Sequence, residues 1–220
     1  MQTRTAEQKT QNVRLGKTPH GQRPYNQKIL LLPQILSSHL AYISYTNDSE
    51  GKLKGVAVEH QNLAAYISAI DSQYSINGTD KIIQCTSLDC DTFITEVFAS
   101  LSYGATVVLS TEDVFGNSGR FWPWVKNEGI SVLSLSTTFW HSLCSQLYDC
   151  DLPMDKLRLC IVGGEVMDSA LLVKWNKAFS HQLKILYSYG PTENTGCTTL
   201  NDVSAVSYTT LTRPTISSFW

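Results

Sequence analysis

Residues 183–197 read LKILYSYGPTENTGC. Leu183, Ile185, Leu186, Tyr187 and Tyr189 form a short apolar and aromatic run of the kind that makes a buried strand. Gly190-Pro191 stops it, because proline brings no N–H to a ladder and glycine lets the backbone reverse tightly. Thr192 and Glu193 follow at once. A hydroxyl and a carboxylate just past the carboxyl end of a strand occupy the edge where open α/β sheets bind ligands. Threonine can donate to a phosphate oxygen, and a carboxylate can hold a Mg²⁺ that also touches phosphate. A strand ending in an ordinary polar turn looks the same locally, so these residues need the rest of the chain beside them.

Upstream, the pattern alternates between strand-like and helix-like segments. Leu40–Thr46 reads as a strand, then NDSEGKLKG makes a small and polar loop, and Val56–Val58 leads into a helix with Leu63, Tyr66, Ile67 and Ile70 at helical spacing. Ile82–Ser87 is the next strand, ending near Asp91. Phe93, Ile94, Val97, Phe98 and Leu101 repeat as a helix that Gly104 ends, and Ala105–Leu109 is again a strand. Glu112–Arg120 reads as a polar loop, and Phe121–Val125 begins a short helix stopped by Gly129. Ile130–Leu135 is a strand, and Ser136-Thr137-Thr138 caps a helix whose Phe139, Trp140, Leu143 and Leu147 read as core. Leu157–Val162 enters Gly163-Gly164-Glu165, and Val166–Phe179 is a helix. This alternation predicts a layered α/β fold, a mostly parallel sheet with helices on both faces.

Bulk properties narrow the function classes. The 220 residues are 42% hydrophobic and 16% charged with a net charge of −2, which argues against a general nucleic-acid binder. No apolar run approaches the ~20 residues of a membrane span, and the start lacks the apolar core of a secretory signal, so a cytoplasmic location is expected. Cys85, Cys90, Cys144, Cys150, Cys160 and Cys197 show no metal-ligand spacing and read as buried or pocket-lining thiols. Residues 1–29 carry six basic side chains against Glu7 alone and lack hydrophobic periodicity, so this leader is expected to be disordered.

Two sites stay open on local grounds. The 47–55 loop can bring backbone N–H groups and Lys52 and Lys54 up to a phosphate, or it can be a plain hairpin turn. Asp91, where a strand passes into a helix, has the position of an N-cap.

Several blocks together carry a family resemblance. YGPTE at Tyr189–Glu193, AYISYTNDSEGKLKGVAVEHQNL at Ala41–Leu63, CDTFITEVFASLSYGATVVL at Cys90–Leu109, SVLSLSTTFWHSL and LRLCIVGGEVM are similar, in order, to the motifs of adenylate-forming (AMP-binding) enzymes. The match is to the amino-acid adenylation domains of nonribosomal peptide synthetases. The resemblance implies that residues 30–220 are part of the large N-terminal subdomain of that fold. It implies the reaction amino acid + ATP → aminoacyl-AMP + pyrophosphate, followed by transfer to a carrier-protein phosphopantetheine thiol.

The family's roles carry over by position. Thr46, Ser49, Gly51, Lys54, Gly163, Gly164, Tyr189, Gly190 and Thr192 fall at ATP-binding positions, and Glu193 at that of the Mg²⁺ ligand. The amino-acid pocket falls on Asp91, Thr92, Thr95, Ser134, Ile161, Gly163, Ser188, Gly196 and Cys197, with Asp91 facing the substrate ammonium. That lining suits a neutral amino acid. Tyr187 takes a place usually held by Asn. Partners implied are the amino acid and a carrier protein or other synthetase segments.

The resemblance does not reach the family's C-terminal subdomain with its catalytic lysine, so no catalytic residue is assigned and this stretch alone is expected to be inactive. A non-catalytic remnant or interaction protein is the alternative. An acyl-CoA or aryl ligase relative is a second, which Asp91 argues against.

Three positions depart from the motif: Asp48 stands where the family has Gly, Glu50 where it has Thr, and Leu53 where it has Pro. A carboxylate ~4 Å from a phosphate oxygen is repelled by about 4 kcal/mol at an effective dielectric near 20. Replacing Asp48→Gly together with Glu50→Thr is therefore expected to tighten ATP binding at least tenfold in calorimetry. Unchanged affinity would show that the repulsion argument is wrong.

Overall fold

The computed structural model describes residues 34–47, 51–88, 90–110, 112–115, 118–145, 147, 154–179 and 183–205, together with the backbone of 12–13 and 217–218. The short strand β1 (Asn12–Val13) falls within the stretch expected to be a disordered leader. A separate antiparallel hairpin, β2 (Leu40–Asn47) and β3 (Leu53–Glu59), sets Thr46 opposite Lys54. Helix α1 (His60–Tyr74) follows without a break. Its start is held by a capping box in which the Glu59 N–H donates to Asn62 Oδ1 at 3.2 Å.

Beyond α1 come β4 (Lys81–Gln84), α2 (Thr92–Ile94), a π turn (Thr95–Ala99), α3 (Ser100–Ser102) and β5 (Thr106–Leu109). Then follow α4 (Glu112–Phe115), α5 (Ser118–Glu128), β6 (Val132–Ser136), α6 (Thr137–Ser145), β7 (Leu159–Gly163), α7 (Ser169–Ala178) and β8 (Lys184–Tyr189). A 3-10 turn at Thr192–Asn194 leads to β9 (Thr199–Asp202) and the short β10 (Ser217–Ser218).

One sheet runs in the order β1-β5-β4-β6-β7-β8-β9-β10. Strands β5, β4, β6, β7 and β8 are mutually parallel, while β1, β9 and β10 pair antiparallel at the flanks. Parallel neighbours need crossover connections, and the helices between successive strands supply them. Side chains alternate between the two faces, as a pleat requires. Ile83, Leu133, Leu135, Cys160, Val162 and Ile185 face a core with Trp122, Trp140 and Trp175 from α5, α6 and α7. Ile82, Val132, Leu159, Ile161 and Leu186 face a second core with Tyr66, Ile70 and Tyr74 from α1. The expected mostly parallel sheet with helices on both faces is what forms.

Some local expectations are corrected. Glu112–Arg120, read as a loop, contains α4 and the start of α5; its short helical pieces carry too few apolar residues to show a period. The helix expected from Val166 begins at Ser169, because Asp168 Oδ1 accepts the Ala170 and Leu171 N–H groups at 2.7 and 3.1 Å. Strand β9 was not anticipated, since a polar TLND run becomes a strand only by pairing with β8. The helix after Asp91 buries Ile94, Thr95, Glu96, Ala99 and Ser100 and leaves Phe98 exposed. A π turn adds a residue to the helical turn, so the apolar stripe expected from a regular period is rotated away from the sheet.

The amino-terminal ends of the strands are levelled by one buried carboxylate. Asp80, just before β4, accepts from Arg158 Nε at 2.9 Å and Nη2 at 2.6 Å, from Ser131 Oγ at 2.6 Å, and from the Asn77 N–H at 3.0 Å. Arg158 also donates to the carbonyls of Tyr74 and Ser75 at the end of α1. Among the described residues, no helix is long and apolar enough to cross a membrane.

Burial pushes the Asp80 carboxyl up, but the hydrogen bonds from Arg158, Ser131 and Asn77 outweigh it and hold the group below its ordinary value. A depressed folded value contributes stability above the unfolded pKa of ~3.9 and loses it as pH falls through the folded one. Arg158→Ala is expected to cost roughly 3 kcal/mol in denaturant unfolding, since it strands a buried charge. In the wild-type protein stability should fall below about pH 4, a decline that Asp80→Asn should flatten.

Candidate functional site

The carboxyl ends of β4, β6, β7 and β8 deliver their following residues to one edge of the sheet, the place where open α/β folds gather ligands. A cavity of about 170 Å³ opens there. All nine residues expected to form the amino-acid pocket line it: Asp91, Thr92, Thr95, Ser134, Ile161, Gly163, Ser188, Gly196 and Cys197. They come from β6, β7 and β8, the turn before β9 and the helical stretch at Asp91, so tertiary structure alone brings them together. Gly164 and Gly190, expected at the nucleotide, line the same space. Sequence reasoning missed Tyr66 and Tyr74, which reach the cavity from α1. The available signal was a pair of hydroxyl-bearing rings on the apolar face of a helix, since buried tyrosines need a polar partner.

Asp91 stands at the N-cap position but has helical backbone angles, φ −63° and ψ −24°, and its side chain makes no capping bond. The capping reading is therefore incorrect, and the carboxylate is left for the cavity; the Cys90 thiol points to Oδ1 at 3.8 Å. Its negative charge is felt across the site. Burial and then Asp91 push the Tyr42 hydroxyl up to about 12. Burial raises the Cys197 thiol, and Asp91 adds to that rise.

The loop bearing Asp91 is clamped from behind by Glu96. Glu96 Oε2 accepts the N–H groups of Cys85 and Thr86 at 3.2 and 3.3 Å and the Thr86 hydroxyl at 2.8 Å. The Cys85 thiol reaches Oε1 at 3.4 Å. Burial raises the Glu96 carboxyl against the opposing pull of these donors. Glu96 makes these bonds from the buried side of the π turn.

At the outer lip, Lys54 Nζ donates to Glu193 Oε1 at 2.8 Å. This contact joins the β2–β3 hairpin to the turn after β8 across 139 residues of sequence. The Lys54 hydrogen bond and charge lower the Glu193 carboxyl. Both side chains are about half exposed, so the pair adds little stability and can open. Thr46 lies opposite Lys54 in the hairpin register, and Gly51 has φ +78° at its tip. Ser49, Asp48 and Glu50 lie outside the described residues.

The Tyr189 ring is exposed, and its carbonyl accepts the Thr198 N–H at 2.8 Å. Thr192 opens the 3-10 turn and accepts the Thr195 N–H through its carbonyl. Tyr187 turns its hydroxyl to the Glu165 carbonyl at 3.0 Å.

Gly164 has φ +102°, and a Cβ there would meet nothing within 4 Å, which leaves open backbone beside the cavity. Among the described residues no cluster of three or more His, Cys, Asp or Glu side chains could hold a metal. Glu193 as a lone hard oxygen donor still fits Mg²⁺, which commonly takes one or two carboxylates with substrate phosphates.

Comparison with known proteins gives the chain a family. A family model described as AMP-binding enzyme matches residues 3–217. An isonitrile lipopeptide synthase of Streptomyces coeruleorubidus is 33% identical over 166 residues, covering 74% of this chain and 11% of that protein. Tyrocidine synthase 3 of Brevibacillus parabrevis is 32% identical over 160 residues, 72% of this chain and 2% of that protein. The chain thus spans a small part of the curated relatives it matches. The crystal structure of the Vibrio cholerae adenylation domain AlmE in complex with glycyl-adenosine-5'-phosphate superposes with a TM-score of 0.67 at 28% identity. That superposition covers 79% of this chain and 32% of the other.

Gly190 tests how tightly the turn after β8 is closed. A Cβ there would lie 2.1 Å from the Gly196 carbonyl oxygen and 2.7 Å from Cys197 Cα, both backbone atoms that cannot swing aside. Gly190→Ala is expected to cost on the order of 1–3 kcal/mol in thermal unfolding, the range for overpacking. A variant as stable as wild type would mean that the turn is looser than its contacts indicate.

Proposed function

The chain belongs to the AMP-binding enzyme family, as part of an adenylation domain of nonribosomal peptide synthetase type, and we propose that its cavity gathers an amino acid and ATP for adenylation. In that reaction the amino-acid carboxylate attacks the α-phosphorus of ATP, pyrophosphate leaves, and an aminoacyl-adenylate forms. The aminoacyl group then passes to the phosphopantetheine thiol of a carrier protein, with AMP as leaving group.

The observation that carries this reading is the charge pattern of the cavity. Asp91 is the one acidic or basic side chain among the residues lining it, surrounded by hydroxyls, thiols, glycines and aliphatic groups. A carboxylate in such a setting pairs with a primary ammonium by a charge-assisted hydrogen bond. A fatty or aryl acid without an ammonium would leave that carboxylate without its partner. Glu96 holds the Asp91 loop in place for that contact. The neighbouring adenylation domain solved with glycyl-adenosine-5'-phosphate supports the same pairing of amino acid and nucleotide here.

On the nucleotide side, Lys54, Thr46 and Thr192 would contact phosphate, and Gly163 and Gly164 would line the adenine and substrate cleft. Glu193 would hold Mg²⁺, which supplies positive charge to the phosphates when bound. Lys54 and Glu193 neutralise one another. A phosphate competing for Lys54 would free Glu193 for the cation.

Calorimetry with alanyl-sulfamoyladenosine, a stable aminoacyl-adenylate mimic, tests the assignment. The wild-type chain is expected to bind it, and Asp91→Asn to weaken binding roughly ten- to a hundredfold, the range for loss of a hydrogen bond to a charged group. Equal affinities for the two proteins, or no binding by wild type, would refute the assignment.

A further inference from the structure

A second cavity of about 620 Å³ adjoins the first, against Ala65, Ala69 and Ile70 of α1 and the turn Glu193–Thr198. The two spaces share only Tyr66 and Cys197 in their linings. These residues form the partition between a small cavity and a large one.

The partition is held by a hydrogen-bonded set. The Tyr66 hydroxyl meets Thr95 Oγ1 at 2.7 Å and Cys197 Sγ at 3.7 Å, and the Tyr74 hydroxyl meets the same sulfur at 3.8 Å. Tyr66 is buried. Its ring sits where a side chain at position 196 would otherwise project: a Cβ on Gly196 would fall 2.7 Å from Tyr66 Cζ and 3.0 Å from both Cε atoms. The absence of a side chain at 196 and the presence of the ring therefore form one arrangement, in which the wall is contributed by α1.

We propose that Tyr66 is a specificity-determining residue, the end wall that restricts the amino acid to a small, uncharged side chain. This rests on the amino-acid reading of the site given above. The cavity must hold the substrate's ammonium and Cα as well as its side chain within about 170 Å³. Asp91 is committed to the ammonium, and no second charged group lines the space, so a charged side chain would be buried without a partner. Removing the ring joins the small cavity to the large one and gives a long or aromatic side chain somewhere to go.

The test compares alanyl- and phenylalanyl-sulfamoyladenosine by calorimetry on the full 220-residue chain. Wild type is expected to favour the alanyl probe about tenfold or more, within the usual range for steric discrimination in a pocket. Tyr66→Ala should abolish or invert that preference, whereas Tyr66→Phe, which keeps the ring, should retain it. If circular dichroism shows Tyr66→Ala unfolded, Tyr66→Leu replaces it, since leucine keeps buried apolar volume while withdrawing the end of the ring. A wild type that binds both probes equally, or a folded Ala or Leu variant with an unchanged preference, overturns the role of Tyr66 and leaves the amino-acid site standing. Failure of wild type and all variants to bind either probe overturns the site reading and the wall with it.

Discussion

Asp80 determines where the parallel strands begin. Its carboxylate gathers Arg158 from the start of β7 and Ser131 from the start of β6, and its carbonyl accepts the Thr106 N–H at the start of β5. The Ser131 N–H donates to Lys81, Arg158 N–H to Ser131, and Lys184 N–H to Arg158, so each strand enters the ladder level with its neighbour. Strands that start level and have similar lengths also end level. The Asp80–Arg158 pair thus sits at one edge of the sheet, and the cavity lies at the opposite edge. A register slip would turn core side chains to the wrong face, where the tryptophan cluster on one side and the tyrosines of α1 on the other could not accept them.

At the site edge the same sheet is built differently. Small residues replace the large aliphatic ones where strands end: Ser134 and Ser136 on β6, Gly163 on β7, Ser188 on β8. Ser188 lies over Gly163 so closely that a Cβ on the glycine would be 2.2 Å from its Oγ. Space for a ligand arises because the core stops, and polar groups remain because ligand and water can satisfy them. Glu96 is the exception, a buried carboxylate whose donors are all protein groups, and it fixes the one loop that carries a charge into the cavity. The Lys54–Glu193 pair, by contrast, is exposed and easily opened, as suits groups that must change partners.

Much of this was legible in the chain. The alternation of apolar runs with helical periods predicts the parallel sheet, because strands buried on both faces and one-sided helices have different periods. The similarity of ordered motifs to adenylation domains placed nine residues in one pocket, and the cavity contains all nine. The misses share a physical cause. Asp91 reads locally as a cap, but the helix entering at helical angles gives its side chain no N–H to accept. The π turn at Thr95–Ala99 rotates a helix face without leaving any mark in the hydrophobic period. Strand β9 has an unremarkable polar sequence and exists because β8 offers it a free edge.

The sequence alone determined the family, the class of fold and which side chains stand at the carboxyl edge of the sheet, since motifs and periodicity are local and survive without coordinates. Tertiary structure decided what stands behind those groups. Tyr66 is an ordinary helix residue until α1 packs across the sheet and lays its ring on Gly196, 130 positions away. Lys54 and Glu193 likewise become partners only when the hairpin folds over the turn after β8. Contacts of such long separation depend on how elements pack, and no local pattern records that.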